Sequence, residues 1–435
     1  MTSPESQGDL EVVSLRNGDE MASFGIAPDR LLDHLKPVVV AALQDPGAAV
    51  REALDRPVGT APLEELVRGS QKVLIVTDDL TRPTPTWLLL PDILARIEQA
   101  GVRDDSVTIL IATGTHRPMT DAELRSKLGP AAVDRYRIEN HRYDALDQLV
   151  ELPETAGGVP VTVNRLVAEA DFIIGVGNIV PHRYCGWAGG AKIIQPGVSG
   201  EATTAATHLM ITKDPLAKLG VVENSIRHGI EAVADRVGLS FIVNTILNGD
   251  ADVVAVVAGD FRQAFRHGVE IARTVFGAPY GAQVDVVVAS SHPSDINLWQ
   301  AGKAFYVGDL IVREGGVIIL VSPCYEGVGE HGSFTSLLRH DYATIDRLVA
   351  THQVEDRISA AAALAVALVR ARCDIWLVTS GITPADAEEM GMRHFTDLQT
   401  AIDAALVAYP DGQVTTIDNA TEVLPIATLS EASHA

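Results

Sequence analysis

The chain has 435 residues, too many for one ordinary core and suited to two or three domains. A hydrophobic fraction of 47% supports sizeable cores, and a formal net charge of −23 argues against nucleic acid as a partner, which would need basic stripes. Cys185, Cys324 and Cys373 lack metal-type spacing and cannot all pair, which points to a reducing, cytoplasmic setting. The acidic start MTSPESQGDLEVV has no apolar leader-like run, and runs such as LAVALVR are short and flanked by charge, so neither a secretory signal nor a membrane span is expected.

Residues 1–35 read as irregular, with one strand or two. A strand–helix alternation then begins. Lys72–Val76 (KVLIV) reads as a buried parallel strand ending in TDDLTRP, and Pro85–Ala100 as the helix after it. Val107–Ala112 is a second strand ending in TGTHRP. Thr120 and Glu123 have capping-box spacing at the start of the next helix. Phe172–Val176 is a third strand, ending in GNIVPH. Val284–Ala289, Val317–Val321, Ile375–Thr379 and Val414–Ile417 form a second set. The expected fold class is α/β, with two α/β domains and a cleft between them. The first spans 1–280 and carries the candidate cofactor loop and histidines; the second spans 281–435. Ionisable residues follow the strands, where open α/β sheets place their ligands.

Asp78-Asp79-Leu80-Thr81-Arg82-Pro83 reads either as a carboxylate grip by Arg82, with Thr81 and a carboxylate orienting other groups, or as a helix cap with an ion pair. In Gly114-Thr115-His116-Arg117-Pro118, His116 is either a general base at a strand end or a surface histidine in a turn. PHRYCGWAGGAKIIQPGVSGEATTAATH spaces His182, Lys192 and His208 by ten and sixteen residues around a glycine-rich loop. The spacing lacks the short ligand intervals of zinc sites, and GGAK lacks the phosphate-loop frame. GVGNIV, around Gly175 and Gly177, is only part of a dinucleotide fingerprint. Gln300 and Lys303 face one side of a helix start, either as site residues or as a solvated face. Cys185 and Trp187 read as packing residues. His292, His331 and His340 form no defensible constellation, and the glycines around Glu330-His331 suggest a mobile loop.

Taken together, from Asp78 to Lys303, these motifs resemble the lactate racemase family, 2-hydroxyacid racemases that use a nickel-pincer nucleotide. The resemblance implies that Asp79 and Arg82 lie near the substrate carboxylate, and that His116 and His182 are the two catalytic bases. Lys192 would carry the cofactor, a dithio-substituted pyridinium mononucleotide, as a thioamide. His208 would ligate nickel, and Gln300 and Lys303 would serve the substrate. Asp79, Thr81, Gly189 and Gly190 fall to the cofactor site. The implied chemistry moves a hydride from C2 to the pyridinium ring and back to the other face of the resulting 2-ketoacid. Trp299 stands where the lactate-specific pattern has a tyrosine, so lactate is expected to be no better a substrate than larger 2-hydroxyacids such as malate or a branched or aromatic one. The implied partners are that small molecule and the enzymes that make the cofactor. The alternatives are a 2-epimerase of a sugar acid, a non-catalytic carrier of the nickel cofactor, and an ordinary nicotinamide oxidoreductase, against which the incomplete glycine fingerprint stands.

Overall fold

A computed structural model describes residues 10–210, 214–329 and 332–428, so Glu330-His331 lies outside the described residues. Residues 39–275 form one compact unit, and the described residues before and after them form the other. The chain opens in the flanking unit with an antiparallel hairpin of β1 (Glu11–Asn17) and β2 (Glu20–Ile26), followed by β3 (Leu31–Leu35). Three strands therefore stand where one or two were expected.

The central unit contains β4 (Val73–Asp78), β5 (Val107–Ala112), β6 (Arg137–Asn140), β7 (Leu149–Leu152), β8 (Val161–Asn164) and β9 (Phe172–Asn178). The two-residue strands β10 (Pro181–His182) and β11 (Gly186–Trp187) and the longer β12 (Leu239–Leu247) and β13 (Val253–Gly259) complete it. Its main sheet has the order β13-β12-β9-β4-β5-β6, parallel except for β13. Every residue of β4 and β9 is buried, as expected for parallel strands covered on both faces. The helix Thr86–Gln99 turns Leu89, Leu90, Ile93 and Ile97 into the core beside Ile75 and Ile109. The capping box of Thr120 and Glu123 forms.

After residue 275 the flanking unit resumes with β14 (Gly277–Tyr280), β15 (Val284–Ser290), β16 (Val312–Val321), β17 (Asp374–Val378), β18 (Arg393–Phe395), β19 (Val414–Ile417) and β20 (Leu424–Ala427). Its main sheet, β18-β17-β16-β15-β19-β3, is parallel throughout. This differs from the expected division into 1–280 and 281–435. The residues before 39 cluster with the C-terminal part, because β3 pairs with β19 and Val13, Leu15, Phe24 and Ile26 share a core with β15 and β16. Among the described residues no helix is long and apolar enough to cross a membrane.

Candidate functional site

Within the central unit, β4 leads on to β5 and β6 on one side, while β9 lies on its other side. Strand order therefore reverses between β4 and β9, and a crevice opens at their carboxyl ends, the usual ligand position in a doubly wound sheet. One cavity there is lined by Asp79, Thr81, Arg82, His116, Gly189, Gly190 and Lys192, together with Asn178 and Asn244. The structure thus gathers seven of the candidate residues. His182 and His208 lie outside that lining and are linked through Tyr184, whose ring is 5.6 Å from the first imidazole and 5.1 Å from the second.

The loop after β4 is held from below. Lys127, itself buried, pairs with Asp78 at 2.8 Å and donates to the Arg82 carbonyl at 2.8 Å. Burial raises the Asp78 carboxyl, and Lys127 opposes that rise. Both carboxylates line the cavity, Asp78 tied to Lys127 and Asp79 to Thr81 and His116. Asp79 accepts from the Thr81 amide at 3.0 Å and hydroxyl at 2.5 Å through Oδ1, and contacts His116 Nδ1 at 2.8 Å through Oδ2. Burial works to raise the Asp79 pKa, yet the bonds from His116 and Thr81 outweigh it and hold the group below its ordinary value. Since a carboxylate only accepts, the proton of neutral His116 sits on Nδ1 and Nε2 keeps its lone pair. Arg82 bonds within its own loop, to the Thr81 carbonyl at 3.0 Å and hydroxyl at 3.5 Å.

The glycine-rich turn is built by close approach. Gly189 has φ +92° and Gly190 φ +59°; a Cβ on the first would meet the Asn178 carbonyl at 2.9 Å, and on the second the Phe265 ring at 2.9 Å. Only glycine fits both the backbone and the space. The Gly190 amide donates to Asn244 Oδ1 at 2.8 Å. Gly175, read from sequence as part of a weak dinucleotide fingerprint, serves packing instead: a Cβ there would lie 2.7 Å from Ile193 in the short helix that carries Lys192. Burial, reinforced by Arg82 and Arg227 and opposed by Cys185, lowers the Lys192 amine to about 8, so it is neutral far more often than a surface lysine.

His208 lies on the helix Glu201–Leu209, and its Nδ1 donates to the Thr204 carbonyl at 2.8 Å. That bond fixes the tautomer and leaves Nε2 as a donor for a metal. Burial lowers its pKa to about 4. Among the described residues no cluster of three or more His, Cys, Asp or Glu side chains suited to a metal forms. His182 differs from His116: its Nδ1 accepts from the Tyr184 amide at 3.3 Å and lies 3.4 Å from Cys185 Sγ. Burial, then Lys192 and Arg82, holds its pKa well below the usual imidazole value.

Gln300 and Lys303 belong to the flanking unit, after β15. Gln300 lies on the short helix Leu298–Ala301, capped by Asn297, and Lys303 starts the next helix. Lys303 Nζ donates to Gln300 Oε1 at 2.7 Å, so the spacing of three does bring the pair together. Trp299 packs edge-on against Phe334.

Sequence reasoning missed Asn178, Asn244, Tyr184 and Arg227. Asn178 is buried, lines the cavity, and its Nδ2 has no protein partner. Its place at the end of β9 was the available signal; the others become site neighbours only through folding.

Residues 17–220 match the family model for the lactate racemase N-terminal domain, and residues 280–424 that for the lactate racemase C-terminal domain. The chain is 32% identical to the lactate racemase of Lactiplantibacillus plantarum over 68% of its own length and 69% of the relative's. Identity to the lactate racemase of Thermoanaerobacterium thermosaccharolyticum is also 32%, over 66% and 67% of the two chains. The solved structure of the lactate racemase apoprotein from T. thermosaccharolyticum superposes with a TM-score of 0.86 at 25% identity, covering 96% of this chain and all of that one. A crystal structure of a protein from Thermotoga maritima shares the fold, with a TM-score of 0.64 at 22% identity over 84% and 96% of the chains.

Proposed function

This chain belongs to the lactate racemase family, and on that premise we propose that it interconverts the D and L forms of a 2-hydroxyacid using a nickel-pincer nucleotide tethered to Lys192. The observation that carries the proposal is the single cavity in which a depressed lysine amine, a glycine cradle, Arg82 and the Asp79–His116 pair converge.

The residues fit the group. Asn178 offers a buried, unpartnered amide to a polar edge. Gly189 and Gly190 let the chain approach closely, Lys192 supplies a nucleophilic amine, and His208 Nε2 supplies an imidazole donor suited to nickel. When bound, the pincer nucleotide supplies a hydride acceptor and donor for C2 of the substrate.

The remaining work falls to the protein. Arg82 binds the substrate carboxylate as a two-pronged donor. His116, with Nε2 free, takes the hydroxyl proton of one enantiomer, while Asp79 stabilises the imidazolium that forms. His182 exchanges the hydroxyl proton of the other enantiomer. Gln300 and Lys303 join as substrate-binding groups, as in the family pattern, and Thr81 holds Asp79 in place. Trp299 in place of the family's tyrosine supports a substrate range in which lactate is no better than larger 2-hydroxyacids. The His116–Asp79 pair argues against a carrier, which needs no base. Maturation requires the cofactor-synthesis enzymes, and three unpaired cysteines support a reducing cytoplasm as the setting.

The test is protein made alongside those enzymes. Intact mass should show one adduct, mapped to Lys192, with one nickel per chain. Single enantiomers of lactate, malate, branched and aromatic hydroxyacids and sugar acids, incubated in deuterated water, should racemise with the C2 hydrogen largely retained. Extensive C2 deuteration would establish proton abstraction and refute the hydride route.

A further inference from the structure

Arg227 is a fully buried cation, and among the described residues no carboxylate pairs with it. Glu231, the buried carboxylate on the same helix, is taken by Arg262 at 3.2 Å and Arg266 at 2.9 Å. The Arg227 guanidinium instead lies 4.1 Å from the Phe265 ring centroid and donates to the carbonyls of Gly189 (3.3 Å) and Trp187, and to Cys185 Sγ at 3.7 Å. A buried charge without a counter-ion is costly. Among the described residues, the group hydrogen-bonded to this guanidinium that can become an anion is the Cys185 thiol, whose sulfur also lies 3.4 Å from His182 Nδ1.

We propose that Cys185 is a positioning residue that shares its proton with His182 Nδ1, with Arg227 holding the thiolate. This rests on the reading of His182 as an acid–base group. The Tyr184 amide marks Nδ1 as an acceptor, so neutral His182 carries its proton on Nε2 and starts as an acid, the opposite of His116. When Nε2–H gives its proton to the substrate oxygen, the ring would become an imidazolate. Transfer of the Cys185 S–H proton to Nδ1 keeps the ring neutral, and the negative charge comes to rest on sulfur beside Arg227. In the neutral state the Cys185 S–H also donates to the Trp187 carbonyl at 3.1 Å, which competes with Nδ1 and opposes the anion, and the Arg227 guanidinium bonds to both the sulfur and that carbonyl. In the reverse direction, Nε2 accepts the substrate proton as Nδ1 returns its own to sulfur. Protons and charge balance in each direction without an outside reactant.

Cys185→Ser and Cys185→Ala separate this from packing. Serine keeps a hydrogen-bond donor of similar size, but its hydroxyl is far less acidic than a thiol and leaves no stable anion beside Arg227. Both variants should lose at least about tenfold in kcat at normal nickel and cofactor content. In the loaded protein at equilibrium with racemic substrate, ring-nitrogen NMR of labelled histidine, assigned with His182→Gln, should place wild-type Nδ1 between its bare and protonated limits. Cys185→Ser should move it to the bare limit. Wild-type turnover in Cys185→Ser, or identical Nδ1 signals in the two proteins, would overturn the relay. A loaded wild type that racemises none of the panel would refute the functional reading and the relay with it, whereas a racemising wild type with unchanged turnover in Cys185→Ser would refute the relay alone.

Discussion

Asp79 Oδ2 lies 2.8 Å from His116 Nδ1, and this contact decides which nitrogen of His116 can receive a proton. Asp79→Asn would offer an amide donor to Nδ1 and push the ring proton to Nε2. Turnover should fall by about 10²–10⁴-fold, with nickel and cofactor content unchanged. Because D and L substrates have equal free energies, kcat/KM should fall equally in both directions. The low Asp79 pKa means the pair contributes stability throughout the neutral range and loses it only as pH falls through that lowered value. Full activity in the asparagine variant would remove Asp79 from the site chemistry.

Lys192 should be a stability cost as well as a tether. Its folded pKa, about 8, is below the ordinary 10.5, so the unfolded chain binds more protons between those values and native stability rises with pH across that window. Lys192→Met should abolish the mass adduct. It should also melt above the unloaded wild type at pH 7, with the difference shrinking as pH climbs from about 8 toward 10.5. An adduct surviving in this variant, mapped to another residue, would contradict the assignment.

His208→Ala should lose most nickel, measured by elemental analysis of protein made with the cofactor enzymes, while the covalent adduct persists on Lys192. The Thr204 carbonyl orients the ring from its other nitrogen, leaving Nε2 as the donor. Full nickel occupancy without His208 would assign the metal to other groups.

Gly190→Ala tests the cradle. The new methyl would sit 2.9 Å from the Phe265 ring at φ +59°, and neither the ring nor the turn can yield cheaply. A loss of about 1–3 kcal/mol in unfolding free energy is expected, together with reduced cofactor loading. Wild-type melting would show that the turn relaxes freely.

Part of each main sheet was legible, because parallel strands covered on both faces leave continuous apolar runs: Val73–Asp78, Val107–Ala112 and Phe172–Asn178 stand where such runs predict them, whereas β6, β12, β13 and β18 were not read. The motif order was legible too, since Asp79, Arg82, His116, His182, Lys192 and His208 occur at intervals that survive without a structure. The pairing of β3 with β19 was not, because hydrogen-bond register between segments some 380 residues apart leaves no local pattern. Nor were the partners of the ionisable groups. Asp78 and Asp79 are neighbours in sequence, yet one turns to a buried Lys127 and the other to His116. Their different roles follow from which face of one turn each side chain leaves. Cys185, read from sequence as packing, meets Arg227, which the sequence reading passed over, across 42 residues. Residue type and spacing determined the chemistry this chain is able to do; burial and proximity, which only tertiary packing creates, decided which proton sits on which nitrogen.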